Sequence, residues 1–518
     1  MIQLERQLNF DIARGDVVAL EAHPLLRGAE SSAPKRLRSV YFDTDDDDIW
    51  EAGAVLCVRH EDDRKVQVIE SGGFAGASMQ RDEVEHDIDG DFPELSAARG
   101  TCLEQVLEKR RIRDRLAPRF EVAVERSIWT IHFDSAELEV SLDRGKIEAA
   151  AAATELCEVE LTLKSGDVTS LYQAARRLGA NVPLHLNLVS KGERGYRLVQ
   201  GSWDRPEKAR SIRLRPGMPA GVALQTIDGQ CLKHFLLNER LLHDADEAEP
   251  VHQARIAIRR LRAAFTFFKP FAGDEKSASL AQQLKWISDL LGAARDLDVF
   301  QSEVIEEAYA KDSAPGLDEL AAEVESRRRA AYERLTGALG SARFRELLVD
   351  LAEWLDIGDR RGEPDTLARA RCDEKIEVFA ALELERRSRR LVKRALHLDK
   401  LDDPHRHRIR ITAKKLRYMA EFFAHLFPAR NAQYERFCHC LEELQTILGE
   451  LNDRLVAGRF LAHLAEEIPR RKRLGKDAAM LFAAGRIGRG LELIDKSKLV
   501  RRAADTARKL ADTTPFWQ

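Results

Sequence analysis

Aromatic residues are scarce, 7% of 518 positions, and no apolar run approaches the ~20 residues that a membrane span needs. The opening stretch MIQLERQLNF carries charges inside its first six residues and lacks the apolar centre of a signal peptide. A soluble, cytoplasmic protein is therefore expected. Cysteine is thin as well: seven residues, at 57, 102, 157, 231, 372, 438 and 440. Their odd number and irregular spacing argue against a disulfide framework. Cys438-His439-Cys440 is the one tight cluster, and without a second pair it makes a poor zinc site. A strong net charge is also missing, since the chain sums to −4. That average conceals an asymmetry. Residues 1–210 hold 29 Lys/Arg against 39 Asp/Glu, a balance of −10, and the remaining 54 and 48 give 211–518 a balance of +6.

What is present divides the chain in two. Short β-branched or alternating runs at 38–43, 54–59, 66–69, 120–124, 128–133, 138–142 and 157–163 read as strands. Many carry apolar residues on one side and charges on the other, as in a sheet that closes into a barrel around its charged face. Helices are expected near 103–109 and 167–179. Turn residues at 201–206 and 215–219 then interrupt the pattern. From about 222 to 510 the chain is rich in Ala, Leu, Glu and Arg with 3.6-residue apolar spacing, which predicts an all-helical segment.

That segment contains an internal duplication. His252-Gln-Ala-Arg-Ile-Ala-Ile-Arg-Arg-Leu-Arg262 matches His407-Arg-Ile-Arg-Ile-Thr-Ala-Lys-Lys-Leu-Arg417 at an offset of 155, and Phe267-Phe268 recurs as Phe422-Phe423. A second block, Leu291-Gly292 with Asp296 and Val299, recurs at 157 as Leu448-Gly449 with Asp453 and Val456. On a helix, His252, Arg255, Arg259 and Arg262 form one stripe, and His407, Arg410, Lys414 and Arg417 form its copy, with Lys415 beside them. No Asp or Glu occurs between Val251 and Ala272. Like charges on one face repel. Solvent or acidic stripes on neighbouring helices, with Asp289, Asp296 and Asp298 available, would relieve that repulsion. Two equivalent stripes with histidine at the same entry position favour an anionic ligand.

At these residues the chain resembles the CHAD family, over roughly 215–510, through the VHxxRxxxRRLR block at 251–262, the HRIRxxxKKLRY block at 407–418, and the LG…RDLDV block at 291–299 with its weaker copy at 448–453. Asn452 stands where the first copy has Arg295. The resemblance implies two four-helix bundles related by a pseudo-twofold, a basic groove between them, and inorganic polyphosphate as ligand, with association to polyphosphate granules. It places His252, Arg255, Arg259, Arg262, His407, Arg410, Lys414 and Arg417 along the groove, with Arg260 and Lys415 nearby. Such a polymer presents dense charge and no base edges, so forked Arg and point-charge Lys contacts suffice. Nucleic acid is the rival partner. Against it, Phe265, Phe267, Phe268, Phe422 and Phe423 sit at core spacing and do not alternate with the basic stripe as stacking platforms would.

Residues 1–200 resemble the CYTH family, the triphosphate tunnel barrels, which are similar to metal-dependent triphosphatases. Tyr41-Phe-Asp-Thr44, Arg81-Asp-Glu-Val-Glu85, the strand with Glu139, Asp143, Arg144 and Gly145, Cys157-Glu-Val-Glu-Leu-Thr-Leu-Lys164 and Ser190-Lys-Gly-Glu-Arg-Gly-Tyr196 carry the likeness. It implies inward carboxylates, here Glu5, Glu83, Glu85, Glu158 and Glu160, around Mg²⁺ or Mn²⁺. Arg59, Arg81, Arg144 and Lys191 would bind phosphate oxygens beside them, and the metal would polarise the phosphoryl group. The signature E-x-E-x-K reads Gln3-Leu-Glu5-Arg-Gln7, however. Cys57 takes the place of one tunnel arginine and Glu70 that of a lysine. An inactive or feeble tunnel is expected.

The expected fold is α+β multidomain: an antiparallel barrel at 1–203, a linker at 204–220, and an all-α domain at 221–512, with repeats at about 221–345 and 370–512. The expected function is binding of inorganic polyphosphate, with tripolyphosphate as a possible smaller ligand. The alternative is metal-dependent hydrolysis of tripolyphosphate to pyrophosphate and phosphate, the helical domain guiding substrate. Adenylate cyclase chemistry needs the same eroded signature and ranks below both.

Overall fold

The computed structural model describes residues 5–62, 64–71, 79–242, 247–311, 315–357, 366–467, 474–492 and 495–518. It separates into two compact units: residues 1–208 with 228–241 and 338–361, and residues 209–227 with 242–337 and 362–518.

The first unit is built on ten strands: β1 (Glu5–Asp11), β2 (Glu30–Ser31), β3 (Lys35–Asp43), β4 (Ala54–Glu61), β5 (Arg64–Ser71), β6 (Met79–Asp87), β7 (Ala117–Phe133), β8 (Ala136–Ala149), β9 (Ala152–Ser165) and β10 (His185–Asn187). Every pairing is antiparallel. The order runs β10-β1-β6-β5-β4-β3-β7-β8-β9, and β1 also pairs with β9, which closes the barrel. The two runs expected at 120–124 and 128–133 are one continuous strand, along which burial moves from Phe120, Val122 and Val124 to the opposite face at Ser127 and Ile131. The helix expected at 167–179 spans Val168–Gly179, with Asp167 capping Thr169 N at 2.7 Å. The one near 103–109 shortens to Glu104–Leu107, followed by a turn at Arg110–Arg113.

Register fixes which side chains share a face. Tyr41 pairs with Phe120 and Cys57, Val124 with Gly145, Arg126 with Asp143, and Asp143 with Glu158. These positions form the inward face. One end of the interior is apolar: Tyr41, Cys57, Val68, Phe120, Val122 and Tyr196 form a buried cluster. The helix Lys191–Val199 closes it. A Cβ at Gly195 would fall 2.0 Å from the Phe120 ring, so glycine there lets the helix approach. The YFDT and SKGERGY motifs meet at this plug. The Tyr196 hydroxyl donates to Asp43 at 2.8 Å, and Asp43 also accepts from the backbone of Thr44, Ile49 and Trp50. Both motifs therefore hold the barrel together.

The sequence boundary near 203–221 does not coincide with this compact unit. Residues 228–241 and 338–361 belong with the barrel. Arg176 pairs with Asp350 at 2.6 Å and with Glu353 at 2.5 Å, Lys233 pairs with Glu193, and Tyr172 bonds Asp356. The Tyr172, Glu353 and Asp356 ends of these contacts are buried, which adds apolar contact to charge.

In the second unit the duplicated blocks fall on helices Ala248–Ala272 and Asp403–Phe423, called here the two basic helices. Each is followed by a helix bearing the second block, Glu275–Val299 and Asn431–Glu467, called the wall helices. The first wall helix runs on through a π-helical turn at Phe300–Ile305. The repeated phenylalanines meet in one core, as their spacing predicts. The rings of Phe267 and Phe423 are 4.8 Å apart, Phe268 stacks on Phe379, and Phe267, Phe268, Phe422 and Phe423 are all fully buried. These rings have no exposed face on which a base could stack. No helix among the described residues is long and apolar enough to cross a membrane.

Candidate functional site

The two basic helices pack against each other and turn one charged edge each into a shared groove of about 1690 Å³. Of the ten side chains expected to bind phosphate, His252, Arg255, Arg259, His407, Arg410, Lys414 and Arg417 line it. The other three do not. Arg260 is buried, donates to the Arg210 carbonyl at 3.3 and 3.4 Å, and lies over the Phe422 ring. Arg260 and Lys415 follow their groove neighbours by one residue, which turns them about 100° around the helix, away from the groove. Arg262 donates to Ser288 Oγ at 3.0 Å, outside the groove lining.

The duplication extends to the contacts. Arg255 meets Asp296 at 3.0 Å and Arg410 meets Asp453 at 3.8 Å, each pair joining a basic helix to its wall helix. Arg262 bonds Ser288, and Arg417 bonds the equivalent Gln445 at 3.3 Å. The repeated glycines sit alike: a Cβ at Gly292 would lie 3.9 Å from the Arg255 guanidinium and one at Gly449 3.7 Å from that of Arg410, contact distance in both copies.

The acceptors run out before the donors do. Arg417 is held by Glu421 and Glu442, so three groove arginines have carboxylate partners. Among the described residues, Lys414 and His252 have no hydrogen-bond partner. Arg259 finds only the Tyr418 hydroxyl, at 3.0 Å, and leaves its buried Nε without an acceptor. His407 Nδ1, Gln445 Nε2 and Arg454 Nη1 are likewise buried without partners. Such groups cost free energy unless something supplies the missing bonds. The electrostatics agree. Burial, then Arg259, Arg410, Arg255 and Arg417, push the Lys414 ammonium down to about 7. Burial and Arg295 also lower His252, with Glu249 opposing.

Sequence reasoning missed part of the lining. Arg295, Arg408, Arg454, Arg459 and Arg486 also face the groove, mostly from the wall helices and the helix Leu474–Glu492. They follow neither copy of the repeated stripe, so no pattern marks them. Val299 and Val456, the closing residues of the repeated second block, give the groove an apolar margin.

The barrel interior is differently balanced. Lys191 reaches Asp143 at 2.9 Å and Glu158 at 2.7 Å, and also pairs with Glu160. Arg126 clamps Asp143 and Glu160, and Arg194 bridges Asp11 and Glu158. Burial works against the Lys191 charge, yet Asp143, Glu158 and Glu160 hold its pKa above the ordinary value. Burial also disfavours the Glu160 carboxylate, which Lys191 and Arg126 nonetheless hold well below the carboxylate range. Farther round, Arg59 collects Glu61, Glu83 and Glu85. Burial and the nearby Glu70 push Glu83 up to about 7, with Arg59 opposing.

Arg144 was expected inside and lies on the outer face, paired with Glu125 and Glu21. It follows the inward Asp143 by one residue and so points the other way. Arg126, two residues beyond the inward Val124, takes the interior place. The carboxylates expected at a metal separate into the Arg59 and Lys191 clusters. The side chains of Glu5 and Arg81, and all of Gln3, lie outside the described residues. Among the described residues no three acidic, histidine or cysteine side chains are placed to hold a metal ion. Among the described residues, the interior carboxylates Asp143, Glu158, Glu160, Glu83 and Glu85 are paired with cations of this chain.

Comparison with known proteins agrees with this geometry. The CYTH domain family model matches residues 16–196 and the CHAD domain family model matches residues 227–462. The crystal structure of the CHAD domain from the plant Ricinus communis shares 28% identity, covers 58% of this chain and 96% of its own, and superposes with a TM-score of 0.50. An inorganic triphosphatase of Haemophilus influenzae is 34% identical over 83 residues, which is 16% of this chain and 24% of that protein. An uncharacterized protein of Mycobacterium tuberculosis is 29% identical over 263 residues, 48% of this chain and 47% of the relative. The alignments thus span half or less of the curated relatives' length. The chain belongs to the family in which a CYTH barrel is followed by a CHAD helical domain.

Proposed function

We propose that the protein binds inorganic polyphosphate in the helical groove and that its barrel is a weak or inactive relative of the triphosphatases. The observation that carries this reading is the convergence of Arg259, Lys414 and the two histidines from both sequence copies on one groove, where among the described residues Lys414, His252, Arg259 Nε and His407 Nδ1 have no acceptor. A polymer of phosphates supplies acceptors in series and needs no base-specific contact. The test is titration of the full chain with long-chain polyphosphate at two salt concentrations. Tight binding that weakens steeply with salt is expected, as counterion release requires. Equal affinity at both salts would refute it.

The binding should also depend on pH, with a defined sign. Lys414 titrates near 7 in the free groove. A bound phosphate raises that value, so binding takes up a proton between the free and bound values. Affinity should be fullest below about pH 7 and fall as pH rises through the interval above it, by at most about tenfold per unit for one proton. Titrations at pH 6.5 and 8.5 in matched ionic strength check this, and Lys414→Met should flatten the profile.

The second reading is tripolyphosphate hydrolysis in the barrel, which retains Lys191, Arg194, Arg126 and Arg59 on its inward face. Each of these is already paired with carboxylates. Phosphate release from tripolyphosphate with Mg²⁺ or Mn²⁺ should therefore fall far below the usual enzymatic range of ~1–10³ s⁻¹. Turnover within that range, abolished by Glu5→Ala, would establish the enzymatic reading instead.

A further inference from the structure

The lysine at the centre of the groove has a chemistry that anion binding does not use. Lys414 lies one helical turn from Arg410 and from Arg417 on the same face of its helix. Across the groove, Arg259 bonds Tyr418, which sits one turn beyond Lys414, and so brings a third guanidinium to the same place. Three of the groove carboxylates are engaged: Asp453 by Arg410, Asp296 by Arg255, and Glu442 by Arg417. Arg295 lines the groove from the first wall helix, Gln445, Thr446, Glu450, Arg454 and Arg459 line it from the second, and Arg408, Arg486, Asp403, Glu303 and Glu307 are the other charged groups there. His252 and His407 complete the titratable surroundings.

We infer that Lys414 is an acylation site, modified by small acyl phosphates that the surrounding arginines draw into the groove. A desolvated lysine among other cations is a free amine, and hence a nucleophile, at neutral pH. The depressed ammonium agrees with that arrangement. An acyl phosphate carries its dianionic phosphate on the group that leaves. The Lys414 Nζ lone pair attacks the acyl carbon and a C–N bond forms. The C–O bond to phosphate breaks, phosphate departs with the electron pair, and the nitrogen gives up a proton. The arginines bind the departing phosphate. The product is a neutral amide, which removes one cation from the groove.

The experiment exposes the full chain to acetyl phosphate at pH 7 and follows each lysine by mass spectrometry. Lys414 should acylate at least tenfold faster than the exposed Lys393 and Lys509. Its rate should level off above about pH 8, while theirs keep rising toward the ordinary lysine value of about 10.4. In Arg259→Ala the Lys414 rate at pH 7 should fall severalfold with the other lysines unchanged. Labelling of Lys414 no faster than Lys393 in the unmodified chain would overturn the proposal, and so would a Lys414 rate indifferent to Arg259→Ala. This proposal rests on the groove as an anion site but not on polymer binding. An added arm with long-chain polyphosphate separates the two: fast labelling that excess polymer does not slow keeps the acylation site and refutes the polymer reading.

Discussion

Reversing one charge on each basic helix, Arg259→Glu with Arg410→Glu, should weaken binding of long-chain polyphosphate at least a hundredfold at physiological salt. Each arginine offers charge-assisted hydrogen bonds worth roughly 1.5–3 kcal/mol apiece, and about 1.4 kcal/mol is a factor of ten. Reversal also adds repulsion where attraction stood. The salt dependence should become shallower, because fewer counterions are displaced. The fold should survive: both arginines stand among like charges, and the Arg410 contact to Asp453 that is given up is long, at 3.8 Å, with the aspartate about half exposed. Arg144→Glu, on the outer face of the barrel, should leave affinity unchanged. A double variant that binds within threefold of the unmodified chain would remove the groove from consideration.

Lys191→Met should destabilise the barrel by roughly 3–5 kcal/mol, the usual consequence of leaving buried charge uncompensated. Asp143 and Glu158 are fully buried and Glu160 nearly so. Arg126 and Arg194 remain, but three carboxylates would then share two guanidinium groups. The pH dependence has opposite signs in the two proteins. In the unmodified chain Glu160 is held below its unfolded value, so its contribution is present above the normal glutamate range and fades as pH falls. In the variant the carboxylates gain protons on folding, and the deficit should shrink as pH is lowered. Amide hydrogen exchange along β8 and β9 measures this locally, which avoids assuming one cooperative transition for a chain of two units. A loss under about 1 kcal/mol would mean that Lys191 is not a clamp.

Much of this was legible before any coordinates, and the failures have specific causes. The repeated blocks announced the groove because a charge stripe with constant spacing survives translation into a helix without ambiguity. Strand parity is less forgiving. Arg144 is interior by motif while Arg126 carries no motif at all, and only the pairing of Arg126 with Asp143 shows which one turns inward. Arg260 and Lys415 belong to the same basic blocks as the groove residues, yet one step round a helix takes both out of the groove lining and buries Arg260. Arg454, Arg459 and Arg486 left no trace in the pattern, because a single arginine outside the repeated stripe looks like any solvated position. The unit boundary was unreadable for another reason: residues 338–361 join the barrel through distant ion pairs such as Arg176 with Asp350, and local composition does not encode such contacts.

The matched aspartates deserve a last consequence. Asp296 and Asp453 sit as internal competitors on Arg255 and Arg410, one in each half. At Arg255 or Arg410 a solitary orthophosphate must evict a resident carboxylate, and it gains little by the exchange. A linked chain evicts both in turn, because its second unit arrives at high local concentration once the first is seated. On the proposed reading, small anions settle beside Lys414 and Arg259, and only an anion long enough to reach both halves also displaces the two aspartates.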